Sequence, residues 1–380
     1  MKVCIAIDSF KGSLNTFEAG NAAKLGILHA CPEADVTVRP MADGGEGTME
    51  ALTQALGGEI VSVNVCGPLG EPVTARYGVS GTTALMEMAQ ASGITLVERD
   101  KLEPMAATTF GVGQMIADAI HRGCRSFVMG IGGSATNDGG MGMLQALGVR
   151  FEDAEGNPLP CRGDSLGRIA GIDASGILPE LRECRFDIAC DVKNPLCADN
   201  GCSAVFGPQK GLRAEKVPVM DKWLGKYAQL VRKVCPDADP CAPGAGAAGG
   251  LGFALMAFLG ARLRSGIDLV MDATELEKHI KDADLVITGE GRLDKQSCMG
   301  KAPSGVARLC KKHGKLCIAL CGAVGDGASM CNECGIDAYF PILRAPCSLE
   351  DAMDKDPAKA NMTATAEQVM RLVLAAKKQA

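Results

Sequence analysis

The chain has 380 residues, which is enough for two domains. Hydrophobic residues make up 47% of it and charged residues 22%, so its composition is typical of a folded globular protein and excludes a disordered one. The formal net charge of −6 argues against nucleic-acid binding, which needs a basic face to neutralise phosphates.

Three features indicate where such a protein resides. The apolar run in the opening MKVCIAIDSFKG ends at Asp8 and is too short for a secretory signal peptide. The uncharged stretch 242–261 is dominated by Gly and Ala, so we interpret it as a loop entering a buried helix rather than a membrane span. The 18 cysteines are scattered inside apolar runs, which indicates free thiols in a reducing compartment. We therefore expect a cytoplasmic protein with no membrane partner.

The amino-terminal segment alternates predicted strands and helices. A short buried strand, VCIAI, precedes a helix with Asn15 or Thr16 as its N-cap and Glu18 in its first turn. A second strand, VTVRPM, precedes a glycine-rich loop that enters a helix, DGGEGTMEALTQAL. This alternation predicts a parallel sheet.

The middle of the chain is less regular. The runs VSVNVCGPLGEPVTARYGV and TTALMEMA favour β-hairpin strands with Gly-Pro turns. A helix ending at Gly123 and the strand RSFVMG lead into a second glycine loop, GIGGSATNDGG, which opens another helix. A loop-rich stretch with one strand, RFDIACD, is followed by a helix over 217–234, the loop PGAGAAGGLG and a helix of small residues.

Strand and helix alternate again from the run GIDLVMD to the end. ADLVITG, KLCIALCG and AYFPI are predicted strands, ELEKHIKD and PSGVARLCKKHG are predicted helices, and the last helix covers 363–378. The pattern predicts an α/β fold. We expect a doubly wound domain built from both chain ends, residues 1–66 and 266–380, with a second α/β domain, residues 67–265, inserted in it.

Four acidic or glycine-rich clusters follow predicted strand ends, which is where α/β sheets bind ligands. Each cluster taken singly is equally compatible with a turn or a helix cap, because Asp and Gly serve both purposes. Their recurrence at four strand ends favours a functional site. The clusters are Asp8-Ser9-Phe10-Lys11-Gly12, Asp43-Gly44-Gly45-Glu46-Gly47, Asp191-Val192-Lys193-Asn194 and Gly289-Glu290-Gly291-Arg292-Leu293-Asp294.

The second glycine loop, residues 130–140, is a candidate anion site. It follows a strand and opens a helix, so its backbone N–H groups can hold phosphate or carboxylate oxygens. It also contains G-x-G-x-x-A, a degenerate dinucleotide fingerprint, with Glu152 about 20 residues further on. A nicotinamide site and a purely structural glycine turn stay open as alternatives.

The available side chains narrow the chemistry. A Walker A motif is absent, since Gly300-Lys301 is followed by Ala302, and no His-Arg-Asp triplet occurs. The four histidines lie in predicted helices or at their ends, which disfavours a Ser-His-Asp hydrolase. Carboxylates, lysines and arginines remain. Phosphoryl transfer requires this set, for Mg²⁺, for the transferred charge and for the hydroxyl proton.

Taken in order, six segments resemble the class I glycerate kinases: DSFKGSL, ADGGEGT, GIGGSATNDGG, CDVKNPL, PGAGAAGGLG and TGEGRLDKQSCMGKAPSGVA. The resemblance runs from Met1 to about Ile342. It implies ATP-dependent phosphorylation of D-glycerate, usually to 2-phosphoglycerate in bacterial members, and a flavodoxin-like domain beside a second α/β domain. Two other functions stay open: an NAD(P)-dependent hydroxy-acid oxidoreductase and a non-catalytic sugar-acid binding protein.

We assign provisional roles to the residues of these motifs. Asp191, Lys11 and Asp8 are the candidate catalytic residues, with Asp191 preferred as general base over Asp8. The candidate metal ligands are Asp43, Glu46, Glu290 and Asp294. The candidate substrate- and phosphate-binding residues are Ser9, Gly44, Gly45, Gly132, Gly133, Ser134, Asn137, Asp138, Asn194 and Lys301.

The expected small molecules are ATP, Mg²⁺ and D-glycerate, and the expected assembly is a monomer or a homodimer. The sequence leaves open which loop binds adenine.

Overall fold

The chain folds into two units that each have their own hydrophobic core. The computed structural model describes residues 1–42, 44–45, 47–298 and 300–379. The first unit comprises Met1–Asp43 and Ile267–Ala380, and the second comprises Gly44–Gly266. The predicted domains had their first boundary after residue 66. Residues 44–66 lie in the second unit because the strand that ends there pairs within its sheet.

The strands alternate with helices over most of the chain. In chain order the strands are β1 (Lys2–Ile7), β2 (Asp35–Val38), β3 (Glu59–Cys66), β4 (Pro72–Ser80), β5 (Thr83–Glu87), β6 (Ser126–Gly130), β7 (Arg150–Glu152), β8 (Gly171–Asp173), β9 (Arg185–Ala189), β10 (Arg262–Arg264), β11 (Leu285–Leu293), β12 (Cys317–Val324) and β13 (Ala338–Pro341).

The helices range from single turns to the 23-residue helix that ends the fold. In chain order they are α1 (Thr16–Ala30), α2 (Thr48–Ala55), α3 (Ala89–Ser92), α4 (Phe110–His121), α5 (Met141–Ala146), α6 (Cys202–Phe206), α7 (Val217–Val234), α8 (Ala247–Leu259), α9 (Gly266–Ala273), α10 (Leu276–Asp282), α11 (Ala302–His313), α12 (Met330–Glu333), α13 (Leu349–Met353) and α14 (Lys355–Lys377).

The first unit contains a five-stranded parallel sheet in the order β2-β1-β11-β12-β13. This is the flavodoxin-like order, in which strand order reverses between the strands that come first and third along the chain. The reversal lies between β1 and β11, where Ile7 is paired with Gly289. The predicted fold class is confirmed for this unit, and the rule for open α/β sheets places its ligand site beyond these two strands.

Two helices from opposite ends of the chain pack together in the first unit. Helix α1 begins with a capping box: the Asn15 side chain accepts a hydrogen bond from the Glu18 N–H at 2.9 Å, and the Glu18 carboxylate accepts one from the Asn15 N–H at 3.0 Å. Asn15 is therefore the N-cap. A Cβ on Gly26 would lie 2.0 Å from the Thr363 carbonyl oxygen, so glycine permits the close approach of α14.

The second unit contains a six-stranded mixed sheet in the order β10-β9-β6-β5-β4-β3. Strands β3, β4 and β5 are antiparallel, which confirms the predicted hairpins, and β5, β6, β9 and β10 are parallel. The carboxyl ends of the four parallel strands meet at one edge of this sheet. Strands β7 and β8 form a separate two-stranded sheet.

Three predicted elements differ from the structure. The run GIDLVMD, which the alternation favours as a strand, lies in helix α9, and a short apolar run does not distinguish the two by periodicity alone. Strand β11 continues to Leu293 instead of ending at Gly289. Helix α14 begins at Lys355 rather than at residue 363, with Asp354 as its N-cap and Pro357 tolerated in its first turn.

The uncharged stretch 242–261 forms helix α8 and the loop before it. Ala248, Gly249 and Gly250 have positive φ angles of 51°, 67° and 92°, so the helix is interrupted near its start. A Cβ on Gly249 would lie 2.1 Å from the Thr136 carbonyl oxygen, which explains why glycine is needed there. Across the residues that the structure describes, every helix is too short or too polar to span a bilayer.

Candidate active site

A cavity of about 470 Å³ lies at the strand reversal of the first unit. The loop after β1 and the end of β11 supply its charged side chains. Six residues that the sequence singled out share it: Asp8, Ser9, Lys11, Glu290, Asp294 and Lys301. The structure thus brings together two motifs that lie about 280 positions apart in the chain.

Local geometry explains how each motif reaches the cavity. After β1, the chain folds back between Phe10 and Leu14, and Gly12 in this turn has a φ of 81°. On β11, alternate residues point to the same side of a strand. Glu290 and Arg292 therefore both line the cavity, followed by Asp294 just beyond the strand. Arg292 was not assigned a role from the sequence, because the predicted strand ended at Gly289 and its alternation therefore did not reach Arg292.

The charges in this cavity are paired. Lys301 Nζ lies 3.9 Å from Glu290 Oε2, and Arg292 Nε lies 3.5 Å from Asp294 Oδ2. Asp8 accepts a hydrogen bond from the Ser9 N–H at 2.6 Å. Pairing is required because a buried carboxylate is costly unless a cation or hydrogen bonds compensate it. The cavity therefore brings cations and carboxylates together in one place.

In the second unit, Gly44 packs against the carboxyl ends of the parallel strands. A Cβ on Gly44 would lie 2.8 Å from the Gly266 Cα and 3.1 Å from the Ala189 Cβ, and its φ is 87°. Only glycine fits this position. Asp191, just beyond β9, is exposed and accepts a hydrogen bond from the Gly266 N–H at 3.2 Å. Gly44 and Asp191 thus both lie beside Gly266.

Glu87 at the end of β5 is an acidic residue that the sequence analysis missed. It is 5% exposed and accepts a hydrogen bond from the Met49 N–H at 2.9 Å, in the first turn of α2. A carboxylate at this position stabilises the positive end of the helix dipole. Its only sequence signal is an acidic residue at a strand end. The candidates Asp43 and Glu46 lie outside the described residues.

Asn194, a predicted substrate contact, also bonds within its own loop. Its side-chain amide donates a hydrogen bond to the Asn200 carbonyl oxygen at 2.8 Å. It is half-buried, whereas the preceding Lys193 is exposed. The amide therefore organises the loop that follows Asp191.

The polar residues of the second glycine loop are mostly buried. Asp138 is 0% exposed and its carboxylate accepts hydrogen bonds from the Thr109 N–H, the Thr109 hydroxyl, the Gly140 N–H and the Gly142 N–H. Burial raises the pKa of this carboxyl, and the four hydrogen bonds oppose the rise. Asp138 therefore holds the loop in place.

Asn137 has a similar role. It is 1% exposed, donates to the Ser203 hydroxyl at 2.9 Å and accepts from the Cys202 thiol at 3.4 Å. The prediction that Asn137 and Asp138 contact substrate directly disagrees with their burial and with these internal hydrogen bonds. By contrast, Gly132 and Gly133 at the start of the loop are exposed.

Lys210 is a buried residue that forms hydrogen bonds with this loop, and it was not identified from the sequence. It is 3% exposed, and its ammonium donates to the Ser134 hydroxyl at 2.6 Å and to the Thr136 carbonyl oxygen at 2.7 Å. Burial lowers its pKa to about 8, while Cys202 and Asp138 oppose the fall. Ser134, predicted to bind substrate, is thus an acceptor for a buried lysine. A single lysine in a loop-rich stretch gives no periodic signal.

The glycine loop does not have the geometry of a dinucleotide site. In that fingerprint the glycines form a tight turn that opens the helix, and the acidic residue follows in the same βαβ unit. Here α5 starts only at Met141, well after Gly132, and the residues between them are largely buried. Glu152 lies on β7, which belongs to a different sheet from β6.

Comparison with known proteins agrees with the motifs. The model of the glycerate kinase family matches residues 3–374. The chain is similar to the glycerate 2-kinase of Escherichia coli K12, at 47% identity over 93% of both chains. It is also similar to the glycerate kinase of Haemophilus influenzae, at 44% identity over 98% of this chain and 99% of that one.

A solved structure agrees as well. The fold matches the crystal structure of a proposed glycerate kinase 2 from Salmonella typhimurium LT2 with a TM-score of 0.92 and 45% identity, covering 100% of this chain and 99% of the other. A family model that spans nearly the whole chain and relatives at this identity leave one conclusion. The chain belongs to the glycerate kinase family.

Proposed function

We propose that the protein transfers the γ-phosphoryl group of ATP to D-glycerate and forms 2-phosphoglycerate. The observation that carries the proposal is the charge-paired cavity of the first unit, in a chain whose relatives bear the names glycerate 2-kinase and glycerate kinase. Phosphoryl transfer depends mainly on positioning and electrostatic stabilisation, and this cavity offers cations and carboxylates together.

The cations of the cavity serve the phosphates. Lys11, Arg292 and Lys301 all line it, and Ser9 adds a hydroxyl group. Positive charge placed beforehand near the transferred group stabilises the charge that develops in the transition state. We assign Lys11 and Lys301 to phosphate binding, with Arg292 as a third cation.

Mg²⁺ fits as an ion that arrives with the nucleotide. Among the described residues, no group of three or more His, Cys, Asp or Glu side chains is arranged to hold a metal. Mg²⁺ usually binds one or two carboxylates together with phosphate oxygens and waters, so Glu290 and Asp294 suffice as protein ligands. Asp43 and Glu46 remain candidates. When bound, Mg²⁺ neutralises phosphate charge.

Asp191 is our choice of general base. It is an exposed carboxylate at the carboxyl end of a parallel strand, and the backbone N–H of Gly266 fixes one of its oxygens. The exposed backbone of Gly132 and Gly133 and the backbone of Gly44 and Gly45 are the candidate binding groups for the carboxylate of glycerate. Asp8, 7% exposed, is the alternative base and otherwise a phosphate- or metal-binding group.

Product analysis tests this function. Purified protein incubated with Mg·ATP and D-glycerate should release ADP and give the phosphorus NMR signal of 2-phosphoglycerate, while omission of glycerate should abolish both. Absence of any phosphoglycerate would remove the kinase function. Formation of 3-phosphoglycerate would correct only the position of transfer. Stabilisation by NADH but not by ATP in a thermal-shift assay would favour an oxidoreductase instead.

A further inference from the structure

The cavity of the first unit is divided into a charged end and an apolar end. The charged end consists of residues after β1 and on or after β11. The apolar end consists of residues at the ends of β12 and β13 and at the start of α13: Ala323, Val324, Ile342, Leu343 and Leu349. Met353, further along α13, lies instead beside the turn after β1, because a Cβ on Gly12 would be 2.2 Å from its Cε. A ligand that fills this cavity must therefore be polar at one end only.

Small residues line the cavity between the two ends. They are Gly291 on β11 and Gly322 and Ala323 on β12, and Phe10 lies beside both glycines. The strands β1, β11, β12 and β13 are consecutive in the sheet, so the cavity extends across three strand spacings, roughly 14 Å. This is the length of an extended ligand rather than of a three-carbon acid.

Two hydrophobic side chains at the apolar end are exposed to solvent. Leu349 is 76% exposed and Val324 is 44% exposed, and both line the cavity. At the charged end, the buried Ser13 hydroxyl has no hydrogen-bond partner among the described residues. An apolar surface facing a cavity and an unsatisfied buried hydroxyl group are both features that a bound ligand would complete.

The volume favours a nucleotide over glycerate. Pockets for ligands of drug size measure roughly 300–1,000 Å³, and this cavity of about 470 Å³ falls in that range. D-Glycerate is small and polar throughout, so it would leave the apolar end empty. A nucleoside triphosphate has a flat apolar base at one end and a polyanion at the other.

We propose that the apolar end binds the purine base of ATP, against Val324, Leu343 and Leu349, and that the charged end binds its phosphates. The loop after β13 and the first turn of α13 are then the adenine-binding segment. This inference rests on the proposed function for the identity of the nucleotide. The inference goes beyond the proposed function because it assigns the purine base to the apolar end of this cavity.

Calorimetric titrations with three probes test the assignment: Mg·ADP, adenosine and inorganic tripolyphosphate. Replacing Leu349 or Val324 by Ser keeps the charge unchanged but removes apolar contact. Leu349→Ser and Val324→Ser should each raise the Kd of ADP and of adenosine by about tenfold or more, and leave that of tripolyphosphate unchanged. Arg292→Met should weaken ADP and tripolyphosphate and leave adenosine unchanged.

The matched control is Leu372→Ser, which alters a leucine that is 59% exposed on α14 and does not line the cavity. It should bind all three probes like the wild type. Normal ADP and adenosine binding by both Leu349→Ser and Val324→Ser would overturn the assignment, as would a wild-type protein that does not bind ADP. Failure of the proposed function has a different signature: ADP binds with the expected dependence on Leu349, but no phosphoglycerate forms.

Discussion

The cavity of the first unit and the glycine loop of the second unit use similar residues for different purposes. Asp8 and Glu290 are only 7% and 8% exposed, yet both line a cavity of about 470 Å³. Asp138 and Lys210 are 0% and 3% exposed, and their hydrogen bonds are made to other protein groups, in the loop and at Thr109. Burial alone therefore does not separate a binding residue from a structural one. What separates them is whether the side chain faces a cavity or other protein groups.

We therefore expect substitutions in the two regions to affect different properties, stability in one and activity in the other. A change in the buried network removes partners from groups that cannot reach water, so it should lower stability first. A change in an exposed or cavity-lining carboxylate should leave the fold intact and lower activity. Three substitutions in the second unit test this distinction.

The largest effect is expected for Asp138→Ala. It leaves three backbone N–H groups and the Thr109 hydroxyl without their buried acceptor. The expected loss is about 3–5 kcal/mol in the free energy of unfolding, the scale for disrupting a buried network. Urea denaturation of Asp138→Ala and of an exposed control, Asp199→Ala, measures it. Equal stability of the two variants would show that the loop does not depend on Asp138.

The next effect concerns Asp191, which is the contrasting case within the same unit. Asp191→Asn keeps an oxygen that can accept from the Gly266 N–H but cannot take up a proton. Turnover should fall by about 100-fold or more, equivalent to about 2.7 kcal/mol, while the free energy of unfolding and calorimetric binding of glycerate stay unchanged. If Asp191→Asn turns over normally and Asp8→Asn is inactive, the roles of the two residues must be exchanged.

The fold was largely predictable because its signals are local. Strand and helix alternation predicted the parallel sheets. Asn15 or Thr16 as N-cap, with Glu18 in the first turn, predicted a helix start, and the structure has a capping box at Asn15. The prediction of a strand for GIDLVMD was wrong because a short apolar segment is compatible with both the helix and the strand periodicity. Packing decides that it is helical, for example the packing of Ile267 beside Gly305. The boundary at residue 43 follows from the pairing of β3, which is a tertiary property.

The site was predictable only in part, because side-chain direction is not encoded locally. Asp8, Lys11, Glu290 and Lys301 come from separate motifs and line one cavity, and the sheet order explains why. The same reasoning applied to GIGGSATNDGG did not reveal that Asn137 and Asp138 point inward. Lys210 is 76 positions from Ser134 and has no motif of its own, so only the folded chain identifies it.

The smallest effect concerns Lys210 and its dependence on pH. Burial holds the pKa of Lys210 at about 8, below its ordinary value of 10.5, so between these values the unfolded chain binds more protons than the folded one. Stability contributed by this residue should therefore rise with pH, by about 2 kcal/mol between pH 8 and pH 10. Lys210→Met removes this titration. Burial raises the pKa of the nearby Cys202 thiol to about 11, so that thiol too binds protons differently in the folded and unfolded chains. The informative quantity is therefore the difference between wild type and variant. Urea denaturation at several pH values should show wild type gaining stability relative to Lys210→Met, whereas the exposed control Lys216→Met should follow the wild type. Parallel curves for wild type and Lys210→Met would mean that the ammonium is not titrated in this range, and that the hydrogen bonds to Ser134 and Thr136 fully compensate for its burial.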